Sequence, residues 1–133
     1  MNREDRYAYG MKVLEQIDGE AGARIVESLA DTSPELGHQV VAWAFGDMYA
    51  RAELQPRDRQ LVTLGVLAAL GGCEIELEVH INAALNVGLT PIEISEALLH
   101  TAVYAGMPRA INATLVAKKV FGQRGALPLT NVV

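Results

Sequence analysis

Cys73-Glu74-Ile75-Glu76-Leu77-Glu78-Val79-His80-Ile81-Asn82-Ala83-Ala84-Leu85-Asn86-Val87-Gly88 reads as one helix closed by a glycine. Helical spacing puts Cys73, Glu76 and His80 on one face at i, i+3 and i+7, shared with Val87 and beside Leu77 and Ala84. A thiol, a carboxylate and an imidazole at such positions cost stability unless they are paired. Proton-transfer chemistry is one reason for a chain to keep them there.

Helical rather than strand periodicity continues on both sides. Upstream, Arg57 to about Leu70 is apolar after Arg59 and predicts a central helix, ended by Gly71-Gly72. Leu54-Gln55-Pro56 is a break. Ser33-Pro34-Glu35 starts a further helix, with Ser as N-cap and Pro at the first position, carrying Leu36, Val40, Trp43, Ala44 and Tyr49. A first helix from about Arg3 to Ile17 turns Tyr7, Met11, Leu14 and Ile17 inward, and a short one follows near Ala23 to Leu29. Downstream, Thr90-Pro91-Ile92-Glu93 gives the strongest local signal: Thr caps, Pro fits the first position and Glu93 closes a capping box. That helix runs to about Tyr104. Gly106-Met107-Pro108 is a turn, and a last helix extends from about Arg109 to Phe121, followed by a tail. The reading is an all-α bundle of six to seven helices in a single domain spanning 1–133, with a core over about 7–121 and a C-terminal tail over 122–133.

A chain of 133 residues supports a core of its own. Half of it is apolar while aromatics are only 5%, so Ala, Leu, Val and Ile dominate and suit close helix packing. Mean hydropathy is positive. A small helical chain this apolar has surface to spare for self-association. The net charge is −5 and no Lys/Arg cluster tracks a phosphate backbone, which argues against nucleic acid. The charged N-terminus Met1-Asn2-Arg3-Glu4-Asp5-Arg6 has no signal-peptide character, and the longest apolar stretch, about Leu61 to Leu70, is too short for a membrane span. The single Cys73 forms no intrachain disulfide. The expectation is a cytoplasmic protein that does not engage the membrane.

Four stretches carry a family likeness: Phe45-Gly46-Asp47-Met48-Tyr49-Ala50-Arg51; Arg59-Gln60-Leu61-Val62-Thr63-Leu64; His80-Ile81-Asn82-Ala83-Ala84-Leu85-Asn86-Val87-Gly88; and Ala102-Val103-Tyr104-Ala105-Gly106-Met107-Pro108-Arg109-Ala110-Ile111-Asn112-Ala113. In their order and spacing the chain resembles the carboxymuconolactone decarboxylase family, within the alkylhydroperoxidase D-like superfamily. The resemblance implies an all-helical fold assembling into oligomers, commonly hexamers. It also implies cofactor-free decarboxylation of 4-carboxymuconolactone to an enol-lactone and carbon dioxide, in the protocatechuate branch of aromatic degradation. Thiol peroxidases of the superfamily use a Cys-x-x-Cys pair, a downstream His and an upstream Glu. Here Cys73 and His80 keep that spacing, but Glu76 stands where the second Cys would be and Leu61 where the Glu would be.

On this reading His80 is the proton donor, since an imidazole near its reference pKa of about 6.5 exchanges protons close to neutral pH. Glu76, one turn earlier, orients the ring; its alternative is a solvated carboxylate beside Glu74 and Glu78. A substrate with two carboxylates invites Arg51 and Arg59, whose guanidinium forks match a carboxylate; the alternative is surface pairing with Asp47 or Asp58. An arginine on the departing carboxylate would oppose its loss, so both are assigned to the retained acid arm. Cys73 is a small buried hydrophobe or a redox-active thiol. His38 and His100 read as structural or exposed. Trp43, Phe45, Tyr49 and Tyr104 either wall a pocket or pack the core. Glu76 and His80 are too few ligands for a metal, so no metal is expected and no cofactor is called for. Two other functions stay open: a thiol-dependent peroxidase using Cys73, and a non-catalytic binding or assembly protein.

Overall fold

In the computed structural model residues 1–129 are described; residues 130–133, the end of the expected tail, lie outside them. Among the described residues there are seven α-helices, one π-helical segment and no strand. The chain forms two compact units, Met1–Pro56 and Arg57–Val133, within the stretch read as one domain.

In the first unit, α1 (Arg3–Asp18) begins where the Asn2 side chain accepts from the Asp5 N–H at 2.8 Å. It ends at Gly19, whose φ of 61° suits a residue without Cβ. Next come α2 (Glu20–Ser28) and α3 (Pro34–Gln39), the latter capped by Ser33 with Pro34 at its start, as the sequence predicts. α3 runs on as a π-helical segment, Val40–Tyr49, closed by the Ala50 N–H bonding to the Phe45 carbonyl five residues back. A π turn takes more residues than an α turn, so inward positions recur at four and five. Val41, Ala42, Phe45 and Gly46 are buried, while Leu36 and Trp43 face outward, Trp43 at 55% exposure. Core packing, one of the two readings of Trp43, therefore fails, since its side chain stands on the outer face of the segment. The segment crosses α1 almost backbone to backbone. A Cβ on Gly10 would lie 2.1 Å from the Val41 carbonyl oxygen, and one on Gly46 3.3 Å from the Gly10 Cα.

The second unit holds α4 (Pro56–Leu70) from Arg57 onward, with α5 (Glu74–Asn86), α6 (Pro91–Ala105) and α7 (Met107–Gln123). Its core joins Leu64 and Ala68 of α4, Leu77, Ile81 and Ala84 of α5, Ile94 and Leu98 of α6, and Ala113, Ala117, Val120 and Phe121 of α7. α4 is apolar nearly all round, yet only the stripe Gln60, Leu64, Ala68 is fully buried; Val62, Val66 and Leu70 are exposed. The breaks fall at glycines with positive φ: Gly71 and Gly72 after α4, Gly88 after α5 and Gly106 between α6 and α7. The capping box forms in full, with Glu93 N–H to Thr90 Oγ1 at 3.1 Å and Thr90 N–H to Glu93 Oε1 at 3.0 Å. Residues past α7 return to the body: the Ala126 N–H bonds to the Phe121 carbonyl, and Ala126 and Leu129 pack on the core. Among the described residues no helix is long and apolar enough to cross a membrane.

Candidate active site

His80 lies mid-way along α5, one residue before the core residue Ile81, and is half-buried. Its Nδ1 stands 3.1 Å from Oε1 of Gln60 on α4. Gln60 is 0% exposed and continues the buried line of Leu64 and Ala68. The two side chains are therefore carried by helices that share one core. Desolvation pulls the His80 pKa down from 6.5 to about 4. Near pH 7 the free protein thus carries a neutral imidazole at this position, whereas the sequence suggests a ring poised near neutrality.

Helical spacing along α5 does not single out Gln60. The signal for it in the sequence is a polar residue at a core phase of a helix whose other inward positions are apolar. Its Nε2 is buried and, among the described residues, makes no hydrogen bond. Such a group costs about 1–3 kcal/mol of desolvation. An apolar residue of similar volume would avoid that cost, so stability alone does not account for glutamine here.

Glu76 shares the helical face with His80 but is exposed and, among the described residues, makes no hydrogen bond or ion pair. The ring-orienting contact expected of Glu76 is absent, and a contact of that kind, at Nδ1, is made by Gln60. Cys73 is the N-cap of α5, half-buried, with its Sγ 3.5 Å from the Gly71 carbonyl oxygen. It is separated from His80 by about 10 Å of helix axis at 1.5 Å per residue. Arg59 is half-buried in the first turn of α4, where its carbonyl accepts from Thr63 Oγ1 at 2.9 Å. Arg51 belongs to the first unit, exposed and 3.8 Å from Glu53. Of the two acids considered for the arginines, Asp47 pairs with Arg6 and Asp58 lies 3.7 Å from Arg57.

Among the remaining residues, His38 is half-buried and stacks on Tyr7 at 5.3 Å between ring centres. His100 is exposed and meets Tyr104 edge-on at 5.8 Å. Phe45 is buried and stacks on Tyr49 at 4.8 Å, which is core packing. Tyr104 is 86% exposed. An open apolar groove runs between α4 and α6, its lining including Leu61, Val62, Gly65, Ala97, His100 and Tyr104. Among the described residues no group of three His, Cys, Asp or Glu side chains is placed to hold a metal ion.

Comparison with known proteins gives this geometry its context. Residues 34–119 match the carboxymuconolactone decarboxylase family. A 4-carboxymuconolactone decarboxylase of Acinetobacter baylyi is 37% identical over 129 residues, covering 96% of this chain and 96% of that protein. A nitrosuccinic acid decarboxylase of Metarhizium robertsii is 36% identical over 114 residues, covering 83% of this chain and 77% of its own. An uncharacterised 15.0 kDa protein of Paracoccus denitrificans is 29% identical over 101 residues, covering 75% of this chain and 73% of its own. With a match of that extent and relatives aligned over most of their length, this chain belongs to the carboxymuconolactone decarboxylase family.

Proposed function

We propose that this protein is a decarboxylase acting on a small carboxylated lactone, 4-carboxymuconolactone first among candidates, with His80 as the proton donor. Family membership and two relatives named as decarboxylases support removal of carbon dioxide from a small molecule. The observation that carries the assignment of His80 is a titratable ring held by a buried partner between two core helices.

The chemistry needs little machinery. The bond from the ring carbon to the departing carboxylate breaks, and its electron pair delocalises into the unsaturated lactone as a dienolate. Carbon dioxide leaves, and one proton is delivered to carbon, so each turnover consumes one proton. A neutral imidazole cannot deliver it easily. The substrate resolves this: its carboxylates bring negative charge beside the ring and raise its proton affinity, so His80 takes up a proton on binding and donates it after the bond breaks. Low dielectric around the ring strengthens that coupling. Arg59 is the cation proposed for the retained acid arm.

The nitrosuccinic acid decarboxylase widens the substrate class to acids whose carbanion is delocalised by a neighbouring acceptor, a nitro group in place of the lactone. The thiol-peroxidase reading gains nothing, because Cys73 stands without a second cysteine. Self-association would cover apolar side chains that the second unit leaves exposed, among them Val62, Val66, Leu99, Val103, Met107 and Ile111. Carbon dioxide release from freshly generated 4-carboxymuconolactone, with nitrosuccinic acid in parallel, tests the substrate. Release from the lactone is expected; none from the lactone by folded protein would overturn that choice.

A further inference from the structure

We propose that Gln60 is a positioning residue: its side-chain carbonyl holds the His80 ring with the proton on Nδ1 and so makes Nε2 the nitrogen that exchanges protons with substrate. The inference rests on the reading of His80 as proton donor and deepens it.

The two ends of an amide side chain differ in what they offer a ring nitrogen. One end, Oε1, only accepts; the other, Nε2, only donates. A proton donor passes through a neutral and a doubly protonated ring. In the doubly protonated ring Nδ1 carries a hydrogen and needs an acceptor. Oε1 serves the ring in both states, whereas an amide nitrogen facing Nδ1 would serve the neutral ring and clash with the protonated one. The contact in this structure is Oε1 to Nδ1, at 3.1 Å. That orientation leaves the Gln60 Nε2 buried without a hydrogen bond among the described residues. The chain accepts this cost at a site where leucine would avoid it. Helix packing then aims the ring, because Gln60 sits on the buried line of α4 and His80 beside the buried line of α5.

The choice of an uncharged partner has a consequence for mechanism. A carboxylate at this position would hold the ring permanently protonated. A carbonyl fixes the tautomer while adding no charge, so the ring's second proton depends on the arrival of an anionic substrate.

The experiment combines 15N NMR of histidine side chains in the full-length protein with steady-state kinetics on 4-carboxymuconolactone. The wild-type spectrum is expected to show His80 neutral at pH 7 with the proton on Nδ1 and not on Nε2. Gln60→Leu keeps the volume and removes the acceptor, so the proton should redistribute to Nε2 and kcat should fall about 10-fold or more, with KM changed less than kcat. Gln60→Glu restores an acceptor, so the Nδ1–H form should return and the ring should stay protonated to higher pH. A wild-type ring with its proton on Nε2 overturns the proposal, and that spectrum decides even if the leucine variant fails to fold. An unchanged tautomer and kcat in folded Gln60→Leu overturn it too. Full turnover by His80→Ala instead removes the proton-donor reading itself, and the two failures are told apart by which variant stays active.

Discussion

The two units solve one electrostatic problem in opposite ways. In the first, Asp18 at the end of α1 is 5% exposed, packed against Gly22, with its Oδ1 buried and making no hydrogen bond among the described residues. Desolvation raises its pKa from 3.8 to about 7. In the second, desolvation lowers that of His80 to about 4. Burial penalises charge, so an acid shifts up and a base shifts down, and both groups approach neutrality. What differs is the partner. Among the described residues Asp18 lacks one at Oδ1, whereas His80 has Gln60 at Nδ1. A desolvated titratable group alone marks a cost to folding; one with a specific partner marks a candidate for chemistry.

The largest effect expected from this contrast is on the acid. Asp18 has a folded pKa above its unfolded value, so its contribution is fully present below about pH 4 and is lost as pH rises to about 7. Stability should fall by about 2–4 kcal/mol over that window. Urea denaturation at pH 4 to 8 should show the slope, and Asp18→Asn should flatten it; an equal slope in both proteins breaks the comparison on the acid side. The base behaves in mirror image. His80 has a folded pKa below its unfolded value, so its contribution is present above about pH 6.5 and lost as pH falls to about 4, by roughly 2–3 kcal/mol. In His80→Asn that acid-side component should vanish.

Smaller effects separate the units by their packing. Gly10→Ala drives a Cβ into the Val41 carbonyl oxygen, backbone that cannot step aside, and should cost about 1–3 kcal/mol in denaturant midpoint stability. Thr90→Ala removes one half of the capping box of α6 and should cost about 1 kcal/mol. If the cap change proves the larger, the close backbone crossing of α1 is not what holds the first unit.

These differences also explain what could be read in advance. Caps and breaks at Ser33-Pro34, Gly71-Gly72, Gly88 and Thr90-Glu93 depend on neighbours in sequence, and each appears where local chemistry puts it. The inward face of Val40–Tyr49 does not, because the π-helical phase arises where the segment packs against α1, and no periodicity rule carries it. Family likeness and helical spacing both single out His80 as a candidate. They point to a partner on the same helix, Glu76, because i, i+4 neighbours are what a linear sequence displays. Gln60 lies twenty residues upstream on another helix, and only the shared core of α4 and α5 brings it to the ring.

The most direct test of the account is carbon dioxide release from 4-carboxymuconolactone by wild type beside His80→Ala, with both proteins checked for helical content by circular dichroism. The account predicts turnover by the wild type and a loss of at least about 100-fold in the folded variant, within the range of acid–base catalysis. Equal turnover by the two proteins would contradict it.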